Sequence, residues 1–356
     1  MERKIGGKAL NWADLGFEYV RTDWRFSARW RDGQWGEGKL LDCEIMPLHE
    51  GSPALHYAQE CFEGMKAQSA RDGRVLLFRP ELNSERLKQA AGRLLMPEVP
   101  TDLFMRGVET AVRENREWIP PFGSGASLYV RPMLIGVGDN LGLRPAKEFE
   151  FRVFVSPVGP YYKQAGLAPI ALAVSEMDRA APHGTGNFKV GANYAGGLLA
   201  TRKAQQQGAS EALYLDAAER RYIDEAGSAN ILVVLRDGSL ATPHSAAVLP
   251  SVTRRSLMQL AADRLGMPTT ERPIDLRAEF DDFVEMGACG TAAVVSPIAR
   301  IWFDGAWRAV NRKELGDDIK GSGVVGSVMQ ELYDLLTGIQ QGEIAEDYGW
   351  IHEVKL

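Results

Sequence analysis

Cysteine is scarce in this 356-residue chain. Cys43, Cys61 and Cys289 are an odd number at wide spacing, which gives neither a disulfide framework nor a zinc ligand set. Histidine is sparse too: five residues, none in His-x-x-x-His spacing, argue against a metal centre. There is no apolar run of about 18 residues, so no membrane-spanning helix is expected. The opening MERKIGGKAL has no apolar stretch of the length a signal peptide needs, and a cytoplasmic location is expected. Basic residues do not dominate: 41 Lys and Arg stand against 47 Asp and Glu, for a net charge of -6. Without an Arg-rich block, nucleic acid is not an expected partner.

What is present suits a soluble globular protein. Hydrophobic residues make up 45% and charged residues 25%, and the length predicts two domains. RVLLFRP reads as a strand ended by proline, and ELNSERLKQAAGRLLM after it as a helix with Leu87, Ala90, Ala91, Leu94 and Leu95 on one face. SLYVRPMLIGVG and EFEFRVFVSPV are two further β-rich runs. GPYYKQAGLAP, rich in Gly and Pro, marks the domain boundary, giving an N-terminal domain over 1–157, a linker over 158–169 and a C-terminal domain over 170–356. In the second half, IALAVSEM reads as a strand and ANYAGGLLATRKAQQQG as a helix. EALYLD, RRYIDEA and ANILVVLRDGSLATP are short β-rich pieces, and SVTRRSLMQLAADRLG is a helix from just after Pro250 to Gly266. This alternation predicts an α+β domain with a largely antiparallel sheet.

HGTGNFKVGANYAGG places one lysine, Lys189, among glycines, which let a backbone bend tightly and approach a ligand. It is not a Walker loop, since Phe188 and Val190 flank the lysine, and a dinucleotide fingerprint would need glycine where Lys189 stands. A lysine in such a setting also forms Schiff bases with carbonyl compounds, the chemistry of pyridoxal phosphate enzymes, which need a partner for the cofactor's ring nitrogen. Glu225 in YIDEAGSANILVV suits that role, because the small residues after it let a flat ring lie against the backbone. A phosphate would suit the helix start in LPSVTRRS, with Ser251, Val252 and Thr253, together with the turn in ACGTAA and a cation from Arg86. Each feature alone also has an ordinary explanation: a surface lysine, a strand-end carboxylate, an N-cap, a solvated arginine, core tyrosines.

Taken together, YAQECFEGMKA, FRPELNSERL, SLYVRPMLIG, GNFKVGANYAGGLLA, DEAGSANI, LPSVTRRSL and GACGTAAVVSPI resemble one family in the same order, from about Asp14 to EDYGWIHEV. The sequence is similar to branched-chain amino acid aminotransferases of the fold type IV pyridoxal phosphate class. That resemblance implies a two-domain α+β fold of the D-amino acid aminotransferase-like kind, with a small α/β N-terminal domain and a larger, mainly antiparallel β domain with helices. It implies pyridoxal 5'-phosphate as cofactor and no metal. The reaction implied is reversible ping-pong transfer of the amino group of leucine, isoleucine or valine to 2-oxoglutarate. Lys189 is then the Schiff-base lysine and proton shuttle, Glu225 the partner of the ring nitrogen and Tyr194 that of the phenolic oxygen. Arg86, Val252, Thr253 and Thr291 correspond to the phosphate holders, and Ser228 lies near the ring. Phe17, Phe62, Tyr129 and Ala292 correspond to the apolar substrate pocket, while Tyr57, Leu141 and Leu143 reach in from a second subunit of a homodimer.

One pocket must accept both an aliphatic chain and the γ-carboxylate of glutamate. Arg131, two residues after Tyr129 on a strand and so on the same face, is the candidate for the carboxylate, with a structural ion pair as its other reading. The sequence departs from the family at Ser228-Ala229, where Thr-Met is frequent, and at Ser251, where glycine is common. It also carries Ala293 and Ser296 where mammalian relatives have a redox Cys-x-x-Cys, so thiol regulation of that kind is not expected. The alternative is another fold type IV enzyme, a D-amino acid aminotransferase or aminodeoxychorismate lyase; those relatives are usually shorter and lack the long N-terminal region.

Overall fold

The β-rich stretch Val75–Phe78 forms a strand and Pro80–Arg93 the helix after it. Pro80 opens the helix, where its missing N–H costs nothing, and Leu87, Ala90 and Ala91 bury one face. The computed structural model describes residues 4–5, 8–159, 167–310 and 325–356. Most of the expected linker over 158–169 therefore lies outside the described residues. The chain divides into two compact units: Met1–Lys163 with Phe188–Gly191 and Gly338–Leu356, and Gln164–Asn187 with Ala192–Thr337.

The first unit is built on a sheet in the order Ile351–Val354, Val75–Phe78, Met65–Ser69, Ser127–Val137, Glu148–Val158, Arg25–Arg31 and Gln34–Trp35, all neighbours antiparallel. Lys39–Leu41 adds to Arg25–Arg31, and Glu60–Phe62 adds to Ser127–Val137. The core lies under the helix Thr101–Glu114, whose Phe104, Val108, Ala111 and Val112 are fully buried at helical spacing. Gly107 lets that helix sit close: a Cβ there would stand 2.9 Å from Phe26 and 3.0 Å from Phe151.

The second unit holds a mixed sheet, ordered Ile223–Ala226, Glu211–Leu215, Ile170–Val174, Val294–Phe303, Phe283–Gly290, Asn230–Leu235, Leu240–Pro243 and Thr269–Arg272. Most pairings are antiparallel. Ile170–Val174 runs parallel to both of its neighbours, and Leu240–Pro243 parallel to Thr269–Arg272. Parallel neighbours need a crossover. The helix Leu198–Gln206 lies in the one from Ile170–Val174 to Glu211–Leu215, and Val252–Leu265 makes the one to Thr269–Arg272.

Two sheets with flanking helices form the α+β architecture that the sequence implies. One expected helix differs: ANYAGGLLATRKAQQQG forms two, Gly191–Gly196 and Leu198–Gln206. The break falls at the Gly196-Gly197 pair, where the Gly197 N–H donates to the Tyr194 carbonyl at 3.1 Å. Two adjacent glycines carry the highest backbone entropy cost of helix formation, so this is where a helix gives way.

Candidate active site

In the first unit, Lys189 is held by the strand Glu60–Phe62. The Phe62 N–H donates to the Lys189 carbonyl at 3.1 Å, and Cys61 and Val190 form a β-bridge. The Lys189 Nζ stands 4.9 Å from the centre of the Phe62 ring, and the Arg131 Cζ stands 4.8 Å from the same ring. Arg131 also lies 5.2 Å from the Tyr129 ring and donates from Nη2 to the Tyr129 hydroxyl at 3.3 Å. Phe17 meets Tyr129 edge-on at 5.1 Å. The strand-mates Tyr129 and Arg131 thus share a face with Phe62 and Lys189, and an aromatic wall surrounds a guanidinium. Gly64 makes room for this wall, since a Cβ there would fall 1.9 Å from the Tyr129 hydroxyl.

Arg86 is engaged rather than open. Its Nε and Nη2 donate to Glu63 at 2.7 and 2.8 Å, and Asn83 Nδ2 donates to the same carboxylate at 2.7 Å, all three residues being buried. Such a two-pronged pair holds its geometry firmly, and losing one partner would cost about 3–5 kcal/mol. Lys66, opposite Tyr129 in the sheet, has its ammonium pulled down to about 8 by burial.

In the second unit the site centres on Glu225, at the end of Ile223–Ala226 and almost fully buried. Arg179 Nη1 lies 2.6 Å from its Oε1, Asn230 Nδ2 donates to Oε2 at 2.8 Å, and the Leu249 N–H donates to Oε1 at 3.3 Å. Burial pushes the carboxyl up to about 7; Arg179, the Leu249 amide and Asn230 pull the other way without offsetting it. Arg179 is tied in turn to the glycine-rich segment, donating to the carbonyls of Gly186 at 2.9 Å and Ala247 at 3.1 Å. Thr185 and Asn193 brace the segment by exchanging hydrogen bonds of 2.8 and 2.6 Å.

The other expected cofactor residues of this unit are Tyr194, Ser228, Val252, Thr253 and Thr291. Asn230 is in register with Cys289, and the hairpin turn Thr291, Ala292, Ala293 follows directly after Gly290. At the start of Val252–Leu265, the Ser251 hydroxyl accepts the Arg254 N–H at 3.2 Å and its carbonyl the Arg255 N–H at 3.2 Å. The amides of Val252 and Thr253 are those the helix itself leaves unpaired. Ser228 turns its hydroxyl to Glu211 at 2.7 Å, not to Glu225. Tyr194 lies on the short helix Gly191–Gly196. The Asn230 Oδ1 and Glu211 Oε2 are buried without a hydrogen-bond partner.

Tyr57, Leu141 and Leu143 are exposed at the surface of the first unit. Leu141 is 90% and Leu143 84% exposed, and the Tyr57 hydroxyl donates to the Leu141 carbonyl at 2.5 Å. Cys43, Cys61 and Cys289 are free thiols. No cluster of metal-binding side chains occurs among the described residues, and none of their helices is long and apolar enough to cross a membrane. Reasoning from sequence missed Arg179, Asn230, Glu63 and Lys66. Glu63 and Lys66 carried a signal, being charges inside strand-like CFEGMKA, whereas Arg179 sits in a loop with no local pattern.

The sequence pattern of the amino-transferase class IV family matches residues 60–301, the stretch that carries both Lys189 and Glu225. The branched-chain-amino-acid aminotransferase of Haemophilus influenzae is 47% identical over 98% of this chain and 100% of its own length. Among solved structures, the branched-chain amino acid aminotransferase of Escherichia coli is similar at a TM-score of 0.76 and 26% identity, covering 94% of this chain and 100% of that one. The T.th. branched-chain amino acid aminotransferase with pyridoxamine 5'-phosphate gives a TM-score of 0.76 at 25% identity, with coverage of 94% and 100%. The chain belongs to the class IV aminotransferases and, within them, to the branched-chain-amino-acid aminotransferases. It is a transferase that works with pyridoxal 5'-phosphate.

Proposed function

We propose that the chain moves the amino group of leucine, isoleucine or valine to 2-oxoglutarate by a reversible ping-pong reaction, yielding the branched 2-oxo acid and glutamate. The observation that carries this reading is the pairing of Lys189 and Arg131 on one aromatic wall, 4.9 and 4.8 Å from the Phe62 ring. The wall of Phe62, Tyr129 and Phe17 suits an aliphatic side chain, and the guanidinium within it suits a γ-carboxylate. Ala292 is assigned to the same substrate. One methylene in an apolar pocket is worth only about 1–3 kcal/mol, so all three branched chains are accepted.

The donor set fits the cofactor. Burial alone raises Glu225 to about 7; a protonated ring nitrogen beside it would supply the opposite charge that favours the carboxylate, and the carboxylate would in turn keep that nitrogen protonated. The unpaired amides of Val252 and Thr253 suit a phosphate at a helix N-terminus, with Thr291 and Arg86 as further holders. Tyr194 is assigned to the phenolic oxygen and Ser228 to the ring's surroundings. When bound, pyridoxal phosphate supplies the carbonyl that takes the amino group and the ring that draws off the electron pair left at Cα. Lys189 Nζ would take the proton from the substrate Cα as general base and, as general acid, deliver it to the cofactor's former carbonyl carbon. Arg179 holds Glu225 in place, and Asn230 fixes which face of the carboxyl is presented.

We further propose a cytoplasmic homodimer, in which Tyr57, Leu141 and Leu143 complete the partner's substrate pocket. Two nearly fully exposed leucines on one loop support the dimer, and three unpaired thiols suit a reducing compartment. The reading is tested by following glutamate formation from 2-oxoglutarate. L-Leucine is expected to serve as donor and D-alanine to give less than about 1% of that rate. Equal use of D-alanine would assign the chain to D-amino acid transamination instead.

A further inference from the structure

Arg131 and Glu60 are two half-buried charges on one face of the paired strands Glu60–Phe62 and Ser127–Val137, with the Phe62 ring on the same face. Among the described residues, Arg131 makes no ion pair, and its Nε is buried with no hydrogen-bond partner. Glu60 makes no ion pair either. Its Oε1 rests on the Lys189 segment: a Cβ on Gly191 would fall 1.7 Å from that oxygen. Glu60 and Phe62 project from one face of a three-residue strand, and Phe62 is the ring over which Arg131 lies. The nearby Glu63 is committed elsewhere, to Arg86 and Asn83. Burial raises the Glu60 carboxyl, while the Gly191 amide and the field of Arg131 draw it down.

This arrangement bears on the problem of accepting two unlike side chains. With an aliphatic substrate bound, Arg131 is left as a cation facing hydrocarbon with no substrate anion to meet, which is costly where water is excluded. With glutamate bound, the γ-carboxylate satisfies Arg131, and any other anion nearby opposes it. We propose that Glu60 is a specificity-determining residue, the countercharge that balances Arg131 when the substrate side chain is aliphatic and that weakens the hold on glutamate and 2-oxoglutarate. The proposal rests on the reading that Arg131 receives the γ-carboxylate. Glu60 keeps Arg131 from turning the pocket into one for dicarboxylates only.

Glu60→Gln removes the charge while keeping shape and an oxygen for the Gly191 amide. The holoenzyme variant is expected to lower KM for glutamate and 2-oxoglutarate and raise it for leucine, shifting the ratio of kcat/KM values about tenfold toward glutamate. Glu60→Asp keeps the charge and is expected to hold the ratio within about twofold. In an Arg131→Met background the Glu60→Gln change is expected to leave the ratio alone, because the charge it balances is gone. Equal losses for leucine and glutamate in Glu60→Gln would overturn the proposal and make Glu60 a brace for the Lys189 segment. The same ratio shift with and without Arg131 would overturn it as well. If Glu60→Gln does not yield folded holoenzyme, Glu60→Asp decides the matter: a ratio moved tenfold despite the retained charge counts against the proposal. Arg131→Met alone separates the two levels. If it harms leucine and glutamate alike, the assignment of Arg131 fails; if it harms glutamate selectively while Glu60→Gln is unselective, only the role of Glu60 fails.

Discussion

At the scale of residues, the second unit holds a carboxyl that burial makes reluctant to ionise. Glu225 is raised to about 7 by desolvation, against the pull of Arg179. For a carboxyl whose folded value exceeds its unfolded value of about 4.5, stability is fully present below that lower value. It is lost as pH rises through about 7, because the native state holds the proton that the unfolded state has released. Without cofactor, Glu225→Gln is therefore expected to flatten the fall in melting temperature between about pH 4.5 and pH 7 relative to the parent protein. Parallel melting curves for the two proteins over that range would rule out a raised Glu225. With cofactor, the same variant is expected to lose about 10²-fold or more in kcat, since a neutral amide does not hold a proton on the ring nitrogen.

At the scale of elements, the glycine-rich segment is pinned as much as it is loose. Gly186 gives its carbonyl to Arg179, and a Cβ on it would stand 2.7 Å from the Ala247 Cα and 2.8 Å from the Ala247 carbonyl oxygen. Both are backbone atoms that cannot swing aside. Gly186→Ala is expected to cost about 1–3 kcal/mol of stability by overpacking and to lower kcat by disturbing Arg179 and, through it, Glu225. A variant as stable and as active as the parent would show that this crowding is unimportant. Elements of this kind were the most legible part of the sequence. Val75–Phe78, Pro80–Arg93 and Val252–Leu265 follow from apolar periodicity and from the proline and glycine that bound them. The split at Gly196-Gly197 was less legible because a single helical pattern continues across it. The parallel pairings of Ile170–Val174 were hidden for another reason: a strand's pattern records burial, not the direction of its neighbours. In the candidate site, Lys189 and Glu225 stood out by local context, whereas Arg179 owes its place to a contact 46 residues away in the chain, 179 to 225. No local signal encodes such a contact.

At the scale of the whole molecule, the proposed dimer makes its own prediction. Leu141 and Leu143 are 90% and 84% exposed, so replacing both with aspartate costs little in an isolated chain. In solution the parent is expected to sediment as a dimer. The Leu141→Asp, Leu143→Asp variant is expected to keep its helical content while dissociating more readily and losing most of its activity toward leucine. A parent that sediments as a monomer while fully active would remove the partner's role in the pocket. Equal activity in the variant would do the same for the two leucines.

The central claim is that Lys189 and bound pyridoxal phosphate carry an amino group from leucine to 2-oxoglutarate, and absorption spectroscopy tests it most directly. Protein supplied with pyridoxal phosphate is expected to show a near-visible band that bleaches on addition of L-leucine and returns on addition of 2-oxoglutarate. The Lys189→Ala protein is expected to complete no such cycle. A band that ignores leucine, or a Lys189→Ala protein that cycles at the parent's rate, would contradict the account.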